Sequence, residues 1–194
     1  MRRAVSVLLL SLLLSSLLSG CAPDPGQGLT KQVLVNAHTA RTGVIHLTMR
    51  YAEILDPAGR GPDAPALGWE AVAGFRASAE ARAAKELLSE YATPVPVDPS
   101  FERARDIDEV SVATAGLVKL ALEPGGTWEE FAKEIQVRRV RLDRAVSALE
   151  EGTKSHVLIE ARTETNQKSS VYADALVRAK ATDSAGPGGA APTP

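Results

Sequence analysis

Apolar residues in this chain recur mainly every three or four positions, the repeat of one face of an α-helix. From Leu29 to Asp56 they fall at Val33, Ala37, Ala40, Val44, Leu47, Tyr51 and Ile54, an unbroken alternation of fours and threes that predicts a heptad seam. Gly43 interrupts it and marks either a kink or a close helix crossing. After the breaker segment 56–65, Ala66 to Ala92 carries Trp69, Val72, Phe75, Ala79, Ala83 and Leu87 along one side. Three prolines in "TPVPVDP" then forbid helix and favour an extended link. A third stripe, Ile107, Val110, Thr114, Leu117 and Ala121, lies between Pro99 and Leu122. A fourth runs Trp128, Phe131, Ile135, Arg138, Leu142, Ala145 and Leu149. It is opened by Thr127 with Glu130 three residues on, the form of a capping box, and Gly152-Thr153 reads as a stop and restart.

Residues 155–180 fit two patterns. As a helix they bring Leu158, Ala161, Thr165, Tyr172, Ala175 and Ala179 to one face, broken by Lys168. As a β-hairpin they alternate Val157, Ile159, Ala161 and Thr163, turn at "NQKSS", and alternate again from Val171 to Val177. Helix is the preferred reading. The expectation is an all-α, up-down bundle of four to five helices over 29–181, with α+β and a C-terminal hairpin as the alternative. The tail 182–194, rich in Gly, Pro and Ala, is expected to be disordered.

The first twenty residues differ from the rest. Arg2-Arg3 precede about 14 apolar or small residues, the form of a secretory signal and too short for a membrane span. The run ends Leu18-Ser19-Gly20-Cys21, and Cys21 is the chain's only cysteine. Residues 1–21 resemble the lipobox signal of bacterial lipoproteins. That resemblance implies cleavage before Cys21, acylation of its sulfur, and usually of its new amino group. Two or three acyl chains hold almost irreversibly where one does not. Residues 21–28, "CAPDPGQG", then read as a lipidated tether. In the same class an Asp after the Cys favours the inner membrane; Ala22 stands there instead. The implied address is the cell envelope, on the periplasmic face of the outer membrane if the host has two.

Composition narrows the function further. Without the leader the chain has 20 basic against 24 acidic side chains, no electrostatic footprint for nucleic acid. With no cysteine after Cys21 there is no disulfide framework, and the core alone must stabilise the domain. About 150 residues suffice for one core. Aromatics make up only 4% of the chain, which argues against a β-sandwich.

Catalytic patterns are missing. No Glu has His three residues later, as di-iron bundles need, and His38, His46 and His156 are never three or four residues apart. His156 and Glu160 stand at i, i+4, read as a surface pair and not as metal ligands. His38 and His46 flank the first seam as boundary residues. Asp106-Ile107-Asp108-Glu109 lacks the glycine and later Glu of a calcium loop and reads as an acidic first turn. There is no nucleophile elbow or phosphate loop. Arg138, Arg139, Arg141 and Arg144 form a basic cluster read mainly as a solvated face. Arg138 itself falls on a seam position, where its stem is expected to snorkel outward; pairing with Glu86 is the weaker reading. No enzyme, cofactor or metal site is therefore expected. The leading expectation is a lipid-anchored envelope protein of structural or interaction type, binding an envelope protein partner through a helix face. The alternative is a carrier or sensor of a small apolar ligand, with room left by the small seam residues Ala37, Ala40, Thr114, Ala121 and Ala145. Oligomeric state is open.

Overall fold

The computed structural model describes residues 25–56, 58 and 67–185; the leader, Cys21 and the segment 186–194 lie outside them. Among the described residues the chain is all-α. Helix α1 spans Pro25–Leu55; a 3-10 turn, Trp69–Val72, leads into the short α2, Ala73–Ala77; then come α3 (Ala79–Ser89), α4 (Ala104–Leu122), α5 (Trp128–Glu151) and α6 (Ser155–Ala185). Contacts between side chains give the directions. Along α1, Lys31 meets Glu160 and Glu164 while Gly43 approaches Tyr172, so α6 runs parallel to it. Thr30 and Arg103 line one cavity, and Tyr51 Oη lies 3.5 Å from the Ala121 carbonyl, so α4 is parallel too. His38 pairs with Glu150 and Arg41 with Asp143, making α5 antiparallel. Glu80 meets Arg50 while Leu88 abuts Gly43, making α3 antiparallel. The five long helices thus alternate up, down, up, down, up, as the stripes predict.

α1 is the hub. Val33, Ala37, Ala40, Val44, Leu47 and Tyr51 of its seam are buried, but so are Leu34, Val35, Thr39 and Leu55, because α4 and α6 flank it and α3 and α5 touch it. Ile54 yields its predicted place to Leu55, fully buried, and is itself only partly covered. Gly43 marks a crossing: a Cβ there would stand 2.6 Å from Leu88 Cδ2 and 3.2 Å from Tyr172 Cζ. The third and fourth stripes are buried as predicted, apart from half-buried Trp128 and Arg138. The Thr127 capping box forms, Thr127 Oγ1 accepting from Glu130 N at 3.2 Å and Glu130 Oε2 from Thr127 N at 2.8 Å.

Several boundaries differ from the pattern. α1 starts at Pro25, so 25–28 of the expected tether are helical; proline fits a first turn, where its missing N–H leaves nothing unpaired. The second segment is not one helix. Ser78 is extended and its Oγ accepts from Ala81 N, restarting the helix and shifting the register. Ala81, Ala84 and Leu88 face inward where Ala79, Ala83 and Leu87 were expected. α4 starts at Ala104 because Arg103 adopts a left-handed φ of 64°. Its guanidinium donates to the Leu149 and Ala148 carbonyls and pairs with Asp106, closing the C-terminal end of α5. Gly152 gives it space, since a Cβ there would lie 2.1 Å from Arg103 Nη1. Residues 155–180 form helix, not hairpin, and α6 continues to Ala185, past the expected start of the tail. The "NQKSS" turn signal fails because only one side of α6 is covered, and Asn166, Gln167 and Ser170 face water.

Candidate functional site

Two features of the bundle can carry function, one inside and one outside. Inside, a second stripe of α1, Thr39, Gly43, His46 and Arg50, spaced 4, 3 and 4, faces α3 and α6. At its upper end Glu80 of α3 is only 5% exposed, an unusual place for a carboxylate. Its Oε1 lies 3.1 Å from both His46 Nε2 and Arg50 Nε, and Arg50 Nη2 donates to Oε2 at 3.3 Å. Arg50 also pairs with Glu53. Burial holds the His46 imidazole below its usual value, partly opposed by the Glu80 carboxylate. From α6, Asp183 accepts from Ala79 N at 2.7 Å and Glu80 N at 3.0 Å, and those backbone bonds hold its carboxyl below the ordinary range. Charge inside the bundle is thus tied to both α1 and α6.

Below this cluster, α1, α3 and α6 leave a cleft of about 250 Å³ walled by Thr39, Leu87, Tyr91, Val171 and Tyr172, with Glu90, Gln167 and Lys168 at its edge. Tyr172 joins the two regions, its ring edge-on to His46 at 6.3 Å. Burial pushes both tyrosine hydroxyls well above the usual phenol range; Glu90 and Glu164 add to this at Tyr91, and Glu80 adds at Tyr172. Lys168 Nζ stands 6.0 Å from the Tyr91 ring centre.

Outside, α5 packs chiefly on α4 and turns a broad face to solvent. Val137 and Val140 are 55% and 44% exposed there. Lys133, Arg141 and Arg144 are exposed on the same face, and among the described residues none of the three is within ion-pair distance of a carboxylate. The acidic neighbours are turned aside: Asp143 holds Arg41 and Glu134 holds Arg138.

The sequence-predicted residues fall as follows. Cys21 is outside the described residues. Arg138 turns its head outward, its side chain 40% exposed, and does not meet Glu86, since α3 and α5 lie on opposite flanks of α1. Its Nε donates to Glu134 at 2.8 Å and its Nη1 to the Gly116 carbonyl at 2.9 Å, with Gly116 leaving room for the head. His156 and Glu160 do not pair with each other; His156 Nε2 is 3.3 Å from Gln27 Oε1, and Glu160 is 3.7 Å from Lys31. His38 lies 3.4 Å from Glu150. Asp106 does sit in the first turn of α4. Ala37, Ala40, Thr114, Ala121 and Ala145 are all buried among their neighbours, and none lines the cleft. Sequence reasoning missed Thr39, Glu80, Tyr91 and Tyr172. One signal was present: His46 and Arg50, four apart beside an apolar seam, put two polar heads on an inner face of α1.

No protein family model, curated protein or solved structure matches the chain. Among the described residues no helix is long and apolar enough to cross a membrane.

Proposed function

We propose that the chain is a lipid-anchored protein of a bacterial cell envelope, acting as an interaction module that docks an acidic surface of another envelope protein on the outer face of α5. The anchor is Cys21, read from the lipobox-like residues 1–21. The observation that carries the docking role is the pairing of exposed Val137 and Val140 with Lys133, Arg141 and Arg144 on one helix face. Exposed apolar side chains rimmed by like charge suit a partner of opposite charge, which steers encounter and fixes register. The rest of the bundle serves as a rigid support for that face.

The test is a photo-reactive residue at position 140 of the full chain, irradiated in its native cells. One discrete protein adduct is expected, lost in the R141E/R144E double variant. Adducts to lipid alone, or a protein adduct indifferent to the charge reversal, would refute the docking role. Intact mass of the native protein tests the anchor separately: acyl groups on residue 21 with the leader removed are expected, and a free thiol with the leader retained would overturn it.

A further inference from the structure

Only residues 22–24 separate Cys21 from the start of α1. That start is fastened into the fold. Thr30 Oγ1 donates to the Gly26 carbonyl at 2.8 Å, Gln27 Oε1 lies 3.3 Å from His156 Nε2 of α6, and Lys31 reaches Glu160 and Glu164. Helix, not slack chain, therefore begins at Pro25. Fully extended, the link spans at most about 14 Å from the Cys21 Cα to the Pro25 Cα, at ~3.6 Å per residue. The headgroup layer of a bilayer takes up roughly 5–7 Å of that reach.

We infer that this link holds the base of the bundle, the end where α1, α4 and α6 begin and α5 finishes, against the surface of a bilayer of zwitterionic lipid. This placement rests on the Cys21 anchor proposed above. The base is gathered around the start of α1: Gly26, Gln27 and Thr30 share one opening with residues 101–103 and 152–154. With the acyl chains in the hydrocarbon, Pro25 stands less than about 10 Å clear of the headgroups even at full stretch. Long side chains and bound water fill such a gap. The exposed charges of the base fit that surface. Arg105 and Lys154 are of one sign and Glu102 and Glu151 of the other, and among the described residues none of the four is within ion-pair distance of an opposite charge. Headgroups that carry both a phosphate and an ammonium offer each of them a partner, whereas a strongly anionic surface calls for a cluster of basic residues alone. The placement also narrows where the α5 face can act. Lys133, its far limit, is about 27 Å along the helix from Glu151. That face therefore stays within about 40 Å of the lipid whatever the tilt of the bundle, and its partner is met close to the membrane.

The test uses the acylated full chain in phosphatidylcholine vesicles containing a lipid with a nitroxide on its headgroup, a quencher of short range. With the single native cysteine acylated, an introduced cysteine is the one free thiol and takes a fluorophore alone. Lys154→Cys reports the base, Gly125→Cys the opposite end between α4 and α5, and Val140→Cys the α5 side; all three positions are exposed. Quenching at 154 is expected to exceed that at 125 and at 140 at least fivefold. An insert of about 20 Gly and Ser residues between Ala22 and Pro23, averaging about 25 Å from end to end, should cut quenching at 154 at least threefold and leave the melting temperature unchanged. Equal quenching at the three positions, strongest quenching at 140, or quenching indifferent to the insert would overturn the placement and leave the anchor standing. Intact mass of the same sample separates the two, since a free thiol at residue 21 would overturn anchor and placement together.

Discussion

The two flanks of α1 are built differently. On the α4–α5 flank, Ile107, Val110, Leu117, Ala121, Phe131, Ile135, Leu142 and Leu149 close over the hub, and the buried hydroxyls of Ser111 and Thr114 are satisfied locally. Its upper end is an aromatic cluster, with Tyr51 edge-on to Trp69, Phe75 and Phe131 at 5.4–6.0 Å. On the α3–α6 flank the same helix meets a buried carboxylate, a histidine, an arginine and two unpaired hydroxyls. Apolar packing tolerates no gap, whereas a polar interior is stable only where each group finds its match. The first flank therefore sets the stability of the bundle, and the second is where chemistry is available.

That contrast can be attacked at both flanks. The largest loss is expected from Phe131→Ala, about 3–5 kcal/mol in denaturant unfolding, because a fully buried ring and its partners in the aromatic cluster leave a cavity. Glu80→Gln on the other flank should cost about 2 kcal/mol by the same measurement. Breaking a wholly buried pair costs roughly 3–5 kcal/mol, but the Arg50 side chain is 29% exposed and can turn to water. If Glu80→Gln proved the more damaging of the two, the division between the flanks would fail.

Acid should weaken the polar flank next. The folded state holds His46 below its usual value near 6.5, so the unfolded chain takes up the proton first. Stability is full above that value and declines as pH falls through it towards the folded value. His46→Gln should flatten this slope in a titration of melting temperature between pH 7.5 and 5; an unchanged slope would remove His46 from the account. The smallest effect is expected of Arg138→Leu, within about 0.5 kcal/mol of zero, since both partners of its ion pair are substantially exposed. A marked rise in melting temperature would mean that the bond to the Gly116 carbonyl is strained.

The same contrast explains what could be read in advance. Heptad stripes reveal helices whose inner face is mostly apolar, and α4, α5 and the seam of α1 are of that kind, Thr114 and Arg138 being the exceptions. α3 was misphased by one residue because Ser78 reads as an ordinary polar position until it is seen to restart the helix. Glu80 then arrives inside, where a pattern built on hydrophobicity has no means of placing a carboxylate. α6 was ambiguous for a related reason. Its inner contacts are few and spaced along one edge, Val157, Ala161, Tyr172 and Leu176, so neither period dominates. The cleft is invisible in sequence, since its walls come from three helices that are far apart in the chain.

An odd count of alternating rods has a further consequence. The chain enters the bundle at Pro25 and leaves it at Ala185, at opposite poles, because α1 and α6 point the same way. With 31 residues in each, those poles stand about 45 Å apart. The points at which the chain enters and leaves the bundle are therefore separated by a full helix length, whereas an even count would have brought them to one pole.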